Sequence, residues 1–411
     1  MAKGGTITGL DIGTGNIKIL VAQRKKRTSE LEVLGLAQVS SSGLRRGVVI
    51  NSEETSRAIH SALEEIQNLT NRRVGSAYVN IGGNHIFTIS SKGVVAVSRA
   101  DQKISAEDIE RVIQAAQAFS LPSNKEIIDV VPKEFVIDGE KGIKEPLGLQ
   151  GIRLEAEILA LAGFSPYVKN LTSAVMNSGL QIDDLTVSPI AAARSVLKPK
   201  QKELGVCLLD IGAGTTNMAV FEESDLIHVA IFPVGSGHIT NDIAIGLKTD
   251  LDTAEKIKLD FGACPSRERK RKGKMSHSKK KEKIEQAEGE ELSFSQKMLN
   301  EIIEARVAEI FELANKELKK ISRQGKLPAG IVLTGGGAKL PRIVEFTKKE
   351  LKLPCHVGYP QEILGLEEDP SLAVVSGLIL RGIDSEGEKG PSFFGGGISS
   401  KIGRIFRIFI P

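Results

Sequence analysis

A chain of 411 residues is too long for one small core and is expected to divide into two or three packed units. With 41% hydrophobic and 26% charged residues, 42 Gly and no Trp, the composition excludes a disordered or fibrous chain and fits an α/β protein. Lys and Arg number 55 against 51 Asp and Glu, and a net charge of +4 is too small to imply nucleic-acid binding by the whole chain, so no nucleic-acid partner is expected.

In chain order, residues 1–6 run straight into an apolar strand without the charged start, apolar run and cleavage site of a secretory leader. Residues 6–23 then read as a strand, the turn Asp11-Ile12-Gly13-Thr14-Gly15-Asn16, and a second strand carrying Lys18. A further apolar run at 31–39 completes a three-stranded meander. Glycines in such a turn permit positive φ and let backbone N–H groups approach anionic oxygens. One such turn alone is a common hairpin.

Between Asn80-Ile81-Gly82-Gly83 and Tyr167 the pattern changes. Residues 86–97 and 126–137 alternate or run apolar like strands, and Ile109, Val112, Ile113 and Ala116 fall at helical spacing behind a Ser105/Asp108 cap. A compact α/β insert is expected there. An Ala-rich apolar helix follows at 188–197, and then the first device returns. Residues 204–222 read as a strand, Asp210-Ile211-Gly212-Ala213-Gly214-Thr215-Thr216, and a strand, with a third run at 226–234. Two copies in matching context point to two turns gripping one polyphosphate, with Asp11 and Asp210 placed to hold hydrated Mg²⁺. Neither copy is a Walker or Rossmann loop, because each opens into a strand and not a helix.

A basic run at 267–283, followed by acidic 285–291, reads first as a solvated loop and second as an attractor of anionic surfaces. Residues 299–321 place Leu299, Ile302, Ile303, Ile310, Leu313, Ala314 and Ile321 on one helical face with Arg306 amid the stripe. An arginine there needs an acid, either Glu317 on the same face or an incoming acidic peptide. A buried strand at 331–334 ends in Gly335-Gly336-Gly337, a loop able to lie flat against a base, and residues 339–351 read as a helix. A second Ala/Gly-containing apolar helix is expected at 372–381. Cys207, Cys264 and Cys355 have no metal-ligand spacing and read as idle thiols.

Residues 384–397 have the Gly, Ser and charge content of a flexible linker. Beyond it Ile398, Ile402, Ile405, Phe406 and Phe409 gather on one helical side, with Lys401, Arg404 and Arg407 on the other. Such a helix is about 20 Å long, short of a hydrocarbon core of about 30 Å, so it lies in the headgroup plane of an anionic membrane. Docking on the protein's own core is the alternative. One short helix binds weakly, and self-association would add avidity.

The order of these blocks resembles the actin-like superfamily of actins, Hsp70-type chaperones and sugar kinases. Within it the chain most resembles the FtsA family of bacterial cell-division proteins, through the same blocks, the run from Pro233 to Ala244, Ile302-Ile303-Glu304-Ala305-Arg306 and the tail. The resemblance implies an α/β actin-like two-lobed fold, made of duplicated ribonuclease H-like domains, with an inserted small α/β subdomain and a C-terminal amphipathic helix. Residues 1–82 and 164–200 would form the first lobe, 83–163 the insert, 201–240 and 325–383 the second lobe, 241–324 its outer subdomain, 384–397 the linker and 398–411 the membrane helix. ATP and Mg²⁺ are implied as ligands. Asp11, Gly13, Thr14, Gly15, Asn16 and Lys18 would meet phosphates and metal from one side, and Asp210, Gly212, Gly214, Thr215 and Thr216 from the other. Gly237 would approach the phosphates, Gly335, Gly336 and Gly337 the adenosine, and Glu255 with Lys258 the ribose and base. That pair's i,i+3 spacing suits one helical face, and a surface ion pair explains it about as well. A water beside Asp11 or Asp210 would be the attacking group, but no residue marks a strong general base, so a slow ATPase or none fits equally. Implied partners are the C-terminal tail of the tubulin-like protein FtsZ at Arg306, further copies of the chain, the anionic inner face of the cell membrane at the division site, and later division proteins at the insert. A pilus-assembly adaptor, a segregation filament and a small-molecule kinase of the same fold stand as rivals.

Overall fold

The computed structural model describes residues 5–25, 30–264, 281–285 and 291–386. Most of the basic run, the linker beyond residue 386 and the amphipathic tail with Ile398, Lys401, Ile402, Arg404, Ile405, Phe406, Arg407 and Phe409 lie outside the described residues.

The first meander consists of Thr6–Ile12, Asn16–Arg24 and Leu31–Ser40, paired antiparallel. Alternation sets its two faces: Ile17, Ile19 and Val21 are buried on one side, Leu20 and Ala22 on the other. Ser76–Ile81 joins Thr6–Ile12 parallel, and Gln181–Val187 joins Ser76–Ile81 parallel. The second meander, Val206–Ile211, Thr216–Glu222 and Asp225–Phe232, repeats this plan, with Gly330–Thr334 and Cys355–Val357 added parallel in the same places. In the order of appearance within each half, both sheets run fifth, fourth, first, second, third. The halves therefore share a topology, which is the duplication expected from the repeated turn.

Two apolar helices, Ser188–Val196 and Ala373–Glu386, lie between the sheets. Ala373–Glu386 covers the Leu20 and Ala22 face of the first sheet, while Ser188–Val196 packs beside Leu208, Ala219 and Phe221 of the second. They also press on each other: a Cβ at Gly377 would lie 1.7 Å from the Ala191 carbonyl oxygen. The other face of the first sheet is closed by Ser52–Thr70 and Ser165–Asn177, and the outer face of the second by Ser236–Leu247, Leu251–Phe261, Gln296–Lys320 and Ile343–Leu351. Ser236–Leu247 runs across residue 240, where the family resemblance implies the division of lobe from subdomain. Ile343–Leu351 begins later than residue 339 because Pro341 holds Leu340 extended, and the chain between makes only a 3₁₀ turn, Gly336–Lys339. Ile363–Leu364, far along the chain, pairs with Leu31–Glu32 at the edge of the first sheet.

The insert is a four-stranded sheet in the order Phe87–Ala96, Arg153–Phe164, Lys125–Ile137, Glu140–Ile143. Helix Ala106–Ala116 packs on one face, and its capping box is formed: the Asp108 N–H donates to Ser105 Oγ at 3.2 Å and the Ser105 N–H to the Asp108 carboxylate at 2.9 Å. His85 pins the joint to the lobe. Its Nδ1 accepts from the Phe164 N–H at 3.2 Å on the outgoing strand, so Nε2 carries the proton to the Gly82 carbonyl, 3.0 Å away on the incoming one. The insert is also tied to the helix between the sheets by Asp129 and Arg381 at 3.1 Å, and to the second lobe by Lys144 and Asp225.

Candidate functional site

Asp11 and Asp210 close the central strands of the two sheets, and each glycine turn is drawn shut by the same bond. The Gly13 N–H donates to the Asn16 carbonyl at 3.1 Å, and the Gly212 N–H to that of Thr215 at 2.9 Å. The turns converge. A Cβ at Gly15 would lie 2.9 Å from Ala213 Cβ, and one at Gly214 would lie 2.6 to 2.8 Å from three atoms of the Thr14 side chain. Glycine is required at both positions by this approach.

Behind the turns the carboxylates are buried, 6% and 5% exposed. Asp11 accepts from Asn80 Nδ2 at 2.9 Å and faces Lys18 Nζ at 3.6 Å, while Asn80 Oδ1 accepts from the Ile12 N–H at 2.7 Å. Asp210 accepts from Asn217 Nδ2 at 2.7 Å. Burial raises both pKa values; for Asp11 this is opposed by Lys18 and Asn80. Asp210 reaches about 6, with burial the largest cause and the nearby Asp11 charge adding to it against Asn217 and Lys18. Asp11 is thus near enough to repel Asp210. Asn217 Oδ1 is buried with no partner among the described residues. Two buried carboxylates in mutual repulsion, short of compensating cations, suit a hydrated divalent ion. No group of three or more His, Cys, Asp or Glu among the described residues is arranged as a metal cage, so phosphate and water would complete the shell.

The third cluster joins the site. Thr334 pairs with Asp210, and Gly335, at φ 82°, passes so close that a Cβ there would lie 2.3 Å from Asp210 Oδ1. Gly337 packs on Ile211, and Gly336 is exposed with open space around it. Ser236 and Gly237 press onto the second turn. Their N–H groups donate to the Gly212 and Ala213 carbonyls at 2.8 Å each, so the Gly237 amide is already committed. Lys258 reaches the same helix, donating to Thr240 Oγ at 2.9 Å and to the Ser236 carbonyl at 3.4 Å, and it pairs with Glu255 at 2.6 Å. Arg306 stands apart, half-buried on the flank of Gln296–Lys320. Asp242 holds it in a fork at 2.7 and 2.9 Å, and Glu309 also pairs with it. Glu317, the internal partner suggested by periodicity, instead meets His228 and Lys320.

Sequence reading missed Asn80 and Asn217. The signal for Asn217 was present: it takes the cross-strand place opposite Asp210 that Lys18 takes opposite Asp11. Asn80 comes from a strand far along the chain, and only its polarity within an apolar run marks it.

Fold and site together define an actin-like protein of two ribonuclease H-like halves with an insert. Comparison with known proteins agrees. The family described as cell division protein FtsA matches residues 207–377, and the SHS2 domain inserted in FtsA matches residues 83–162. The chain is 37% identical over 390 residues to the cell division protein FtsA of Pseudomonas aeruginosa, covering 94% of this chain and 91% of that one. It is 35% identical over 370 residues to the Bacillus subtilis protein of the same name, covering 90% and 82%. The chain belongs to the FtsA family of bacterial cell-division proteins. Among solved structures, a PilM–PilN type IV pilus biogenesis complex matches with a TM-score of 0.64 at 18% identity, covering 93% of this chain and 99% of that one. MreB5 of Spiroplasma citri bound to ADP matches at 0.55 and 16%, covering 94% and 99%. These two likenesses bear on the fold alone. No helix among the described residues is long and apolar enough to cross a membrane.

Proposed function

We propose that the chain is an ATP- and Mg²⁺-binding, self-assembling adaptor that tethers FtsZ filaments to the inner face of the cytoplasmic membrane and helps assemble the division machinery. The convergence of the two glycine turns on one locus, with Asp11 and Asp210 behind it, carries this reading. Asp11 and Asp210 would hold the hydrated metal, and Gly13, Thr14, Gly15 and Asn16 with Gly212, Gly214, Thr215 and Thr216 would border the phosphates. Lys18 would balance charge on the first side. Gly335 to Gly337 would face the adenosine, and Glu255 with Lys258 the ribose and base. The role of Gly237 is close packing of its helix on the second turn, since its N–H is spent there. Bound phosphates supply negative charge between the lobes, and nucleotide acts as a ligand that biases their closure and so assembly. Family membership supports the division role and the FtsZ tail as partner, and Arg306, already held by Asp242 and Glu309, would share its guanidinium with that tail. The cationic, apolar terminus in the sequence supports peripheral attachment to anionic lipid.

The test is sedimentation of the purified chain with anionic liposomes, with and without ATP and FtsZ, beside a chain ending at Asp384. The full chain is expected to carry FtsZ into the pellet and the shortened one to leave it in solution. Equal sedimentation of both removes the tail from the reading.

A further inference from the structure

A short hairpin, Leu44–Arg45 with Val48–Val49, follows the first meander and pairs Arg45 with Val48 across two residues, Arg46 and Gly47. Both have positive φ, 50° and 77°. That is the geometry of a type I′ turn, which favours Asn, Asp or Gly at its first central position. Arg46 shares its left-handed backbone with ten other non-glycine residues among those described, Glu223 and Ser224 of another hairpin included, so the turn fixes where Arg46 stands and does not by itself mark a ligand.

The hairpin tip also touches both halves of the site. The Gly47 N–H donates to Thr14 Oγ at 2.9 Å, and a Cβ at Gly47 would lie 3.0 Å from Thr215 Cγ2. Arg46 itself is exposed, and no carboxylate among the described residues pairs with it. The charge of Arg46 is also felt in the second lobe, by His238 in the first turn of Ser236–Leu247. Its pKa is lowered chiefly by burial, then by Arg306, and further by the charge of Arg46. A guanidinium of the first lobe, without a carboxylate partner among the described residues, thus stands on a hairpin whose tip touches both glycine turns.

We propose that Arg46 contacts the terminal phosphate of a bound nucleoside triphosphate and makes closure of the lobes depend on that third phosphate. This rests on the nucleotide reading above. A diphosphate would still be bordered by the glycine turns but would leave Arg46 without an anion. The planar fork of arginine matches phosphate oxygens in a way that an ammonium does not.

Arg46→Asn is the decisive variant, because Asn-Gly is a preferred I′ pair and the hairpin is kept while the guanidinium is lost. The full chain with Mg²⁺ is titrated calorimetrically with AMPPNP and with ADP, and its melting temperature is measured without nucleotide. Arg46→Asn is expected to weaken AMPPNP about ten- to a hundredfold, the range for a lost charge-assisted hydrogen bond. ADP affinity should stay within about twofold, and Arg46→Lys should recover part of the loss. Equal losses for both nucleotides, or no loss, overturn the proposal. A lower melting temperature in the free Asn variant, with equal losses, assigns Arg46 to the turn alone. Binding of neither nucleotide by the wild-type chain overturns the nucleotide reading, and the proposal with it.

Discussion

At the scale of single residues, the two buried carboxylates of the site work against each other. Asp210 has a pKa of about 6 against an ordinary 3.8. An acid raised by folding stabilises the fold while protonated: its contribution is whole below the unfolded pKa and is lost as pH climbs through the folded one. Two units correspond to about 3 kcal/mol. Asp210→Asn is therefore expected to raise the melting temperature of the nucleotide-free chain by several degrees at about pH 8 and by little at about pH 4.5. Differential scanning fluorimetry at the two pH values checks this, and an equal shift at both contradicts it. The same variant should lose the Mg²⁺ dependence of nucleotide binding. Asp11 and Asp210 were legible because a repeated local motif carries them, and Lys18 only through the family resemblance, since Asn217 takes its place in the second copy. Asn80 was not, since the bond that orients Asp11 is made only when two distant segments become neighbours in a sheet.

Among elements, the meanders were legible for the same local reason, while the centre of the insert was not. Arg153–Phe164 is built largely of Leu, Ala, Glu and Ile, residues at home in a helix, yet it lies between two strands and is buried along most of its length. Tertiary context overrides propensity there. The two helices between the sheets were visible as Ala/Gly-containing apolar runs, but the reason for their small residues is the contact of Gly377 with the Ala191 main chain. Gly377→Val forces that contact apart and is expected to cost about 3 kcal/mol or more, as overpacking does in a rigid core. Urea denaturation reads the loss. A variant as stable as the wild type would mean that the helices slide freely.

For the whole molecule, the order of strands was beyond sequence, because parallel neighbours such as Gly330–Thr334 and Val206–Ile211 are joined by more than a hundred intervening residues. The repeated turn predicted two halves, and the sheets supplied their identity. Arg306 shows the limit from the other side: periodicity placed it near Glu317 on one helix, whereas Asp242 of a neighbouring helix takes it. An acidic FtsZ tail would have to share that guanidinium. Arg306→Glu is expected to weaken binding of a labelled tail peptide about tenfold or more in fluorescence anisotropy while ATP affinity holds, and Asp242→Asn to strengthen it. Unchanged peptide affinity in both variants ends the docking reading.

The strand Ile363–Leu364 and the helix Ala373–Glu386 both complete the first lobe, although they follow the whole of the second in the chain. On the ribosome, the second lobe's five strands emerge as one continuous stretch and can close early. The opening stretch of the polypeptide must wait with Leu20 and Ala22 uncovered until residues 372–383 follow the second lobe. The half that is read first is thus the half whose core is closed only by residues read after the other.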